Sequence, residues 1–362
     1  MNTPYLLIDL GKLEQNLRSI HDICRRHHLT LTPITKVIMG DPHIASLYSS
    51  FCQSIGDSRI FDMKRMIRYQ IQSEFMLIRS PSLREADEVV AICHTSLNTE
   101  MEVIRELSKE AVKQNKLHHI IIMLEMGDLR EGVLLEDFAS FLQPCLLLPG
   151  IHVSGIGANA TCFAGLIPDP ENLTILQKAS HTFTEQTGRK GIVSGGGTNL
   201  FHLIQQGILP DYINHIRVGE GIVIGVDAVY KKPIPGCVQD AFTLTGEVIE
   251  LKDKPSQPIG HFTHNAFGEN VSFLDRGLRK RAILNIGRLD TDITGLTPLT
   301  PGVTILGGSS DHLLLDVEDS SEELHVGSSL SFHLNYAALL FAMSSDYVQK
   351  KYLESEGIKD PQ

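Results

Sequence analysis

The sequence lacks the features that mark a secreted or a membrane-spanning protein. Its six cysteines are scattered and none forms a CxxC pair, so neither a disulfide framework nor a zinc knuckle is indicated. We expect reduced thiols, as in a cytosolic protein. No apolar run approaches the roughly 18 residues that a membrane span needs, and Asp9 interrupts the short N-terminal apolar segment, which does not read as a signal peptide. The expected location is the cytoplasm.

Runs of basic residues are also scarce. The formal net charge is −11, and the one short basic cluster lies at 276–281. Because nucleic-acid binding requires a basic footprint, we expect no nucleic-acid partner. The 16 histidines show none of the spacings that are typical of a metal site, so no metal is predicted. With 362 residues, of which 42% are hydrophobic, the chain is long enough for two globular domains.

The first two-thirds of the chain alternates short apolar runs with helical patterns. Helices are predicted at 12–28, 172–187 and 198–207, and after an N-cap at Thr99 with Glu102 three residues later. Eight strands that alternate with helices favour a (β/α)8 TIM barrel over 1–225, with a doubly wound sheet as the alternative. The eight runs are 29–37, 51–55, 75–78, 89–95, 118–124, 151–157, 191–194 and 213–218.

Beyond residue 225 the pattern changes to short β-rich runs. The stretch 233–236 is Pro-Ile-Pro-Gly and interrupts the chain. We therefore predict a C-terminal all-β domain over 226–362. Its expected strands lie at 242–251, 281–286, 303–306, 313–317 and 329–334.

Polar residues follow the predicted barrel strands, where a (β/α)8 enzyme carries its chemistry. Lys36 ends the first strand, and its burial would suit a Schiff-base nucleophile. A lysine that extends to solvent from the strand edge is the structural alternative. The other residues at strand ends are Asp57, Arg59, Arg79, Arg130, Asn159 and the runs 194–198 and 217–221.

The glycine-rich runs 194–198 and 217–221 follow the seventh and eighth strands. Loops at these two places commonly form the phosphate site of such barrels, since glycine lets the backbone approach a phosphate and a helix N-terminus presents N–H groups to it. Plain turns would explain either loop alone. Together with Lys36, the two loops predict a cofactor that bears an aldehyde and a phosphate.

At these residues the sequence resembles the alanine racemase family of pyridoxal 5'-phosphate (PLP) enzymes, and within it the ornithine racemase branch. The resemblance extends over nearly the whole chain. The matching strings are IGDSRI at 55–60, MGDLREG at 126–132, GIGANATC at 155–162, VSGGGT at 193–198, RVGEG at 217–221, PIG at 258–260, AFG at 266–268, RKRAILNIG at 279–287, SSDHLLLDV at 309–317 and NYAALL at 335–340.

The resemblance implies roles for four residues around the cofactor ring. Lys36 would hold PLP as a Schiff base and act as one of two racemisation bases. Arg217 would face the pyridine nitrogen, and Arg130 would lie near the phenolic oxygen. Asn159 would take the ring-packing position at which alanine racemases carry a histidine.

For the phosphate, the resemblance implies Thr198, the backbone of Gly219 and Glu220, and Tyr336. One position departs from the family pattern. Alanine racemases carry a phosphate-contacting tyrosine after the cofactor lysine, and Gly40 stands there in this sequence.

The second base is the larger departure. In alanine racemases it is a tyrosine supplied by the partner subunit, whereas Ile259 occupies that register here and no tyrosine lies between residues 231 and 335. Asp311 and His312 fall in the stretch that approaches the partner's site in the family. They are the candidates for the catalytic base, with His264 and Cys162 as weaker ones.

The resemblance therefore implies a homodimeric, PLP-dependent racemase that interconverts L and D enantiomers of ornithine or a related basic amino acid, with active sites shared between subunits. Two alternatives stay open. One is a PLP-dependent lyase of the same fold type, either a decarboxylase or an aldolase. The other is a PLP-binding protein without catalytic activity.

Overall fold

The computed structural model describes residues 4–270, 272–354 and 357–359. The chain divides into two compact units, one of Leu13–Gln239 and one that joins Met1–Lys12 to Asp240–Gln362. The first unit is built from parallel strands and helices, and the second is β-rich.

The strands, in chain order, are β1 (Tyr5–Asp9), β2 (Thr30–Pro33), β3 (Ser54–Asp57), β4 (Glu74–Leu77), β5 (Thr95–Asn98), β6 (His118–Leu124), β7 (Ile151–Ala158), β8 (Ile192–Ser194), β9 (His215–Val218), β10 (Phe242–Pro255), β11 (Leu278–Leu284), β12 (Leu296–Pro298), β13 (Thr304–Gly308), β14 (Leu313–Asp316), β15 (Ser329–Leu334), β16 (Gln349–Glu354) and β17 (Gly357–Lys359).

The α-helices are α1 (Leu10–Arg26), α2 (Pro42–Phe51), α3 (Ile60–Arg68), α4 (Ala86–Ile92), α5 (Met101–Lys113), α6 (Leu135–Cys145), α7 (Thr174–Thr187), α8 (Phe201–Gln206), α9 (Glu220–Ile224) and α10 (Tyr336–Ser344). Short 3-10 helices lie at Lys36–Ile38, Leu83–Glu85, Thr198–Leu200 and Ile293–Gly295. No helix within the described ranges is long and apolar enough to cross a membrane.

Strands β2 to β9 form one parallel sheet, in which the strands from β3 to β9 each pair with the next and β2 pairs with β9. On the other side of β2, a bridge between Ile34 and Gly56 and a 2.9 Å bond from Thr35 N to Gly56 O bring it against β3. The sheet is thus a nearly closed barrel, which confirms the predicted (β/α)8 fold. Its interior includes a cluster formed by Met76, Leu97, Ile121 and Met123.

Several predicted elements have different bounds. The apolar run 89–95 is not one strand, because α4 occupies its first residues and β5 begins only at Thr95. Helix α5 has Glu100 rather than Thr99 as its N-cap, without a side-chain capping bond. Such runs are ambiguous because a short apolar stretch fits a buried strand and a buried helix equally well.

The β-rich unit is a sheet of order β13-β14-β11-β10-β1-β16-β17, with β15 paired to β10 and β12. The pairs are antiparallel except for β1 with β16. Strand β1 therefore belongs to this unit, although the sequence-based domain 1–225 included it with the barrel. The unit also contains α10, which begins where Asn335 caps it by accepting from Ala338 N at 2.9 Å.

Candidate active site

Lys36 lies just beyond β2 at the carboxyl end of the barrel. The sequence places it at the strand's last position, but β2 ends at Pro33 and Lys36 begins the 3-10 turn Lys36–Ile38. The cause is Thr35, whose hydroxyl contacts Gly56 O at 3.2 Å and donates to Asp57 Oδ2 at 2.6 Å. These bonds hold residue 35 in a helical backbone conformation, so the half-buried Lys36 side chain leaves the barrel wall at a turn.

Two buried carboxyl groups support this turn. Asp57 and Asp62 are 0% and 2% exposed, and the two carboxyl groups interact electrostatically. Burial raises the pKa of Asp57 to about 7, against the lowering effect of the Thr35 hydrogen bond, and burial likewise raises the pKa of Asp62. The pair therefore keeps a proton near neutral pH, because two close carboxylates cannot both ionise without water.

Arg217 is the buried cation of the site. It lies on β9, it is 7% exposed, and burial lowers its pKa to about 10. Its Nη1 donates to Ser194 Oγ and its Nη2 donates to Ala158 O at 2.8 Å. No carboxylate in the described part of the chain lies within ion-pair distance of it. A buried guanidinium without a counter-ion is costly, and this makes Arg217 a candidate ligand contact.

The glycine loops after β8 and β9 lie side by side. Arg217 N donates to Gly196 O at 2.9 Å, and Gly221 N donates to Thr198 Oγ1 at 3.1 Å. A Cβ on Gly197 would lie 2.5 Å from Arg217 O, and one on Gly219 would lie 3.3 Å from Ile34 Cβ. Side chains larger than glycine would therefore crowd these loops, whereas glycine leaves the backbone open to close approach.

Helices begin directly after both loops. Thr198 starts the 3-10 turn that leads into α8, and Gly219 is the N-cap of α9. The first N–H groups of a helix have no partner inside the helix. The carboxylate of Glu220 pairs with Lys231 Nζ at 2.7 Å, so its side chain is engaged elsewhere while its backbone stays at the loop.

Arg130 and Asn159 meet beyond β6 and β7. With its amide oriented so that both polar atoms are satisfied, Asn159 accepts from Arg130 Nη1 at 3.2 Å and Nη2 at 3.1 Å. Arg130 also pairs with the adjacent Glu131. The segment therefore contains a local ion pair together with a contact to Asn159.

Asp128 joins the loop after β6 to the loop after β7. Its carboxylate is 2% exposed and accepts from the backbone N–H groups of Phe163, Ala164 and Leu166 at 3.1, 3.1 and 3.3 Å. Asn199 adds a second link, because its Nδ2 donates to Ala160 O at 3.1 Å. The exposed Cys162 lies within the segment that these contacts hold.

Arg79, which also follows a barrel strand, is engaged in local structure. Its Nε donates to Ser58 O at 2.8 Å, and its Nη2 donates to Glu85 Oε1 at 2.5 Å. Glu85 belongs to the capping box with Ser82 that precedes α4. Arg79 therefore stabilises the start of a helix.

The remaining predicted residues belong to the β-rich unit. Asp311 and His312 are exposed in the turn between β13 and β14, where Ser309 Oγ lies 3.5 Å from His312 Nδ1. Tyr336 is the first residue of α10. Ile259, at the register of the family's tyrosine base, is 90% exposed.

Sequence reasoning missed His215, which is buried on β9 two residues before Arg217. Its Nδ1 lies 2.6 Å from Ser194 Oγ, and its Nε2 lies 2.9 Å from Thr32 Oγ1. Burial lowers its pKa to about 3, so the imidazole is neutral. The sequence could have indicated His215 through its spacing from Arg217, because residues two apart on a strand share a face.

The fold and the site define a class: a (β/α)8 barrel with a β-rich unit, with a lysine turn, a buried arginine and two glycine loops at the barrel's carboxyl end. Residues 8–226 match the family model described as "Alanine racemase, N-terminal domain". The chain belongs to this family.

Two curated relatives extend over almost the whole chain. The chain is 38% identical to an ornithine racemase of Acetoanaerobium sticklandii over 353 residues, which cover 97% of this chain and 99% of that protein. It is 37% identical to a lysine racemase of Thermotoga maritima over 351 residues, which cover 96% of this chain and 98% of that protein.

Solved structures share the fold at lower identity. An alanine racemase of Clostridium difficile 630 superposes with a TM-score of 0.75 at 15% identity, over 99% of this chain and 98% of that chain. An alanine racemase of Bartonella henselae with covalently bound pyridoxal phosphate superposes with a TM-score of 0.73 at 16% identity, over 97% of this chain and 100% of that chain.

Proposed function

We propose that this chain is a PLP-dependent racemase of basic amino acids, with ornithine and lysine as its substrates. The observation that carries the proposal is its similarity, over nearly the full length, to two racemases named for these amino acids. Membership of the alanine racemase family supports the same reaction.

The residues at the barrel's carboxyl end fit PLP, which carries an aldehyde, a phosphate and a pyridine nitrogen. The Lys36 amine suits the aldehyde. The crowded glycine loops with the Thr198 hydroxyl suit the phosphate, together with the backbone of Gly219 and Glu220. The Arg217 guanidinium has no carboxylate partner among the described residues, and it suits the ring nitrogen.

When bound, PLP supplies the electron sink that acidifies the Cα–H bond of the amino acid. Lys36 Nζ would accept or return the Cα proton on one face of the ring. Arg217 would donate a hydrogen bond to the ring nitrogen without giving up its proton, because a guanidinium stays charged. Arg130, held by Asn159, would approach the phenolic oxygen. Tyr336 would contact the phosphate.

Asp311 and His312 stay our candidates for the base on the opposite face, as residues that a partner subunit would supply. Both side chains are exposed in a short turn. The turn is well defined, since Ser309 N donates to His312 O at 2.8 Å and Leu289 N donates to Ser310 O at 3.0 Å. A defined and exposed turn suits a residue that acts in another subunit's site.

Incubation of the purified chain with PLP and L-ornithine, L-lysine or L-alanine in D2O tests the function. We expect the D enantiomers of ornithine and lysine to appear, with deuterium at Cα and no loss of amino acid. Lys36→Ala should lower the rate by about 10³-fold or more, since a positioned base contributes on this order. The exposed Lys178→Ala on α7 is the matched control.

Other outcomes would assign the chain differently. Consumption of the amino acid without a D product would identify a lyase. PLP binding with neither exchange nor consumption would identify a non-catalytic carrier. Full exchange by a folded Lys36→Ala chain would remove Lys36 from the mechanism.

A further inference from the structure

Five polar side chains form a continuous hydrogen-bonded chain across the barrel interior. From Arg217 the contacts pass to Ser194 Oγ, from there to His215 Nδ1 at 2.6 Å, and from His215 Nε2 to Thr32 Oγ1 at 2.9 Å. Thr32 Oγ1 then lies 2.6 Å from Ser54 Oγ. We call these five residues the Arg217 relay.

Strand register explains why the relay forms. His215 and Arg217 are two residues apart on β9 and therefore point to the same side of the strand. Thr32 is the register partner of Arg217 on β2, and Ser194 is the partner of His215 on β8. Residues from neighbouring strands thus meet in layers inside the barrel.

The direction of every hydrogen bond in the relay follows from which groups can donate and which can accept. A guanidinium only donates, so Ser194 Oγ accepts from Arg217. If His215 Nδ1 also donated to that oxygen, the buried Ser194 hydroxyl would have no acceptor among its contacts within the described residues. Buried donors are rarely left unpaired. Ser194 therefore donates to Nδ1.

The rest of the direction follows from the neutral imidazole. Since burial lowers the pKa of His215 to about 3, the ring has one N–H, and with Nδ1 as acceptor it must be at Nε2. That group donates to Thr32 Oγ1, and the Thr32 hydroxyl is then left to donate to Ser54 Oγ. Because Ser194 donates its hydroxyl hydrogen to His215, that hydrogen points away from Arg217. The lone pairs of Ser194 Oγ therefore face the guanidinium.

The relay holds Arg217 without neutralising it. Ser194 Oγ and Ala158 O fix Nη1 and Nη2, and no member between Ser194 and Ser54 carries a charge. The remaining N–H groups of the guanidinium, with its full positive charge, stay available to a ligand. A carboxylate in place of Ser194 would hold the arginine equally well but would cancel its field.

We propose that His215 is a positioning residue for Arg217, acting through Ser194 and fixed in one tautomer by Thr32 and Ser54. The effect on cofactor binding rests on the proposed function, since it takes Arg217 as a contact of PLP. The tautomer and the coupling of His215 to Ser194 are properties of this chain alone.

The first experiment uses the chain without PLP. Nitrogen-15 NMR of the histidine-labelled protein, with the His215 signals assigned by their loss in His215→Leu, reports which ring nitrogen is protonated. We expect a neutral ring protonated at Nε2 across pH 6 to 8. A ring protonated at Nδ1, or a cationic ring, would overturn the proposal.

The second experiment measures the PLP dissociation constant of variants. His215→Leu leaves the buried Ser194 hydroxyl without its acceptor, so it should weaken PLP binding roughly tenfold. His215→Asn keeps an acceptor oxygen near the Nδ1 position and should recover most of this loss. In a Ser194→Ala background, where the link to Arg217 is already broken, His215→Leu should change the constant less than about twofold.

A second buried histidine of the barrel is the matched control. His118 is 1% exposed and lies 2.8 Å from Ser96 Oγ through its Nε2, and within the described part of the chain it makes no hydrogen bond to Arg217. His118→Leu tests the general cost of removing a buried imidazole and should leave the PLP dissociation constant unchanged. Equal effects of His118→Leu and His215→Leu, or additive effects of His215→Leu and Ser194→Ala, would overturn the positioning role.

The two experiments separate this inference from the proposed function. If the unmodified chain bound no PLP, the proposed function would fail, and the NMR result would still decide whether the relay has the assigned direction. If PLP bound normally and His215→Leu had no effect, the relay proposal alone would fail.

Discussion

At the scale of single residues, Gly40 accounts for a missing aromatic contact. Its φ is +60°, a backbone region that favours glycine, and a Cβ there would lie 2.8 Å from Asp62 O. A tyrosine at this position would have to displace the start of α3. The family's phosphate-contacting tyrosine therefore has no room at residue 40 of this chain.

The buried Asp57 should make the free energy of unfolding fall as the pH rises. Its pKa is raised by burial from 3.8 to about 7, so between pH 4 and pH 7 the folded chain keeps a proton that the unfolded chain releases. The stability that this group contributes is present below about pH 4 and is lost as the pH rises through 7, by up to about 1.4 kcal/mol per pH unit. Asp57→Asn should therefore gain stability relative to the unmodified chain across this interval.

Urea unfolding at pH 5, 6 and 7 measures the difference. The exposed Asp87→Asn on α4 is the matched control. If the free energies of unfolding of Asp57→Asn and of the unmodified chain changed with pH in the same way, Asp57 would be ionised in the folded state.

At the scale of elements, Asp128 is the main tie between two barrel loops. In Asp128→Ala, three backbone N–H groups lose the buried carboxylate that accepts their hydrogen bonds. The loop 160–166 should open more readily, by on the order of 1–3 kcal/mol, and amide hydrogen exchange in that peptide should rise about tenfold or more. Because Asn159 directly precedes this loop, the Arg130 contact should loosen with it.

Hydrogen–deuterium exchange with mass spectrometry measures this change. Asp137→Ala, an exposed acid on α6 of the same barrel, should leave exchange in 160–166 unaltered. Unchanged exchange after Asp128→Ala would mean that Asn199 and the loop's own contacts suffice to hold it.

At the scale of the whole molecule, an exposed apolar segment leads us to propose a homodimer. Ile259 is 90% exposed, and Phe262, Leu274 and Leu278 are 65%, 71% and 70% exposed. Exposed apolar residues concentrated in one segment are typical of a protein interface. The family resemblance and the unassigned second base favour a second copy of this chain as the partner.

Sedimentation velocity should show a dimer for the unmodified chain. Ile259→Glu combined with Leu274→Glu should shift it to monomers and abolish racemisation, since each site would lose the residues that its partner supplies. Leu147→Glu, at an 81% exposed position of the barrel unit, is the control and should leave the dimer intact. A fully active monomer would contradict both the dimer and the shared site.

Much of the fold was predictable because many of its strands carry a local signal. The runs 118–124 and 329–334 coincide with β6 and β15, since apolar residues recur there without competing helical spacing. The run 89–95 failed because α4 and β5 adjoin within it. The place of β1 in the β-rich unit was not predictable either, because its partners Phe242–Pro255 and Gln349–Glu354 lie more than 200 residues away.

For the site, the sequence alone determined that Lys36, Arg217 and the glycine loops lie at strand ends, since the order of barrel strands follows the order of the chain. Only the tertiary structure decided that Thr35 turns Lys36 out of its strand, and that His215 and Ser194 orient Arg217. These contacts join strands far apart in sequence, and hydrogen bonds between them depend on register and on the exclusion of water. The sequence of a single strand reveals neither its register with other strands nor whether water is excluded around it.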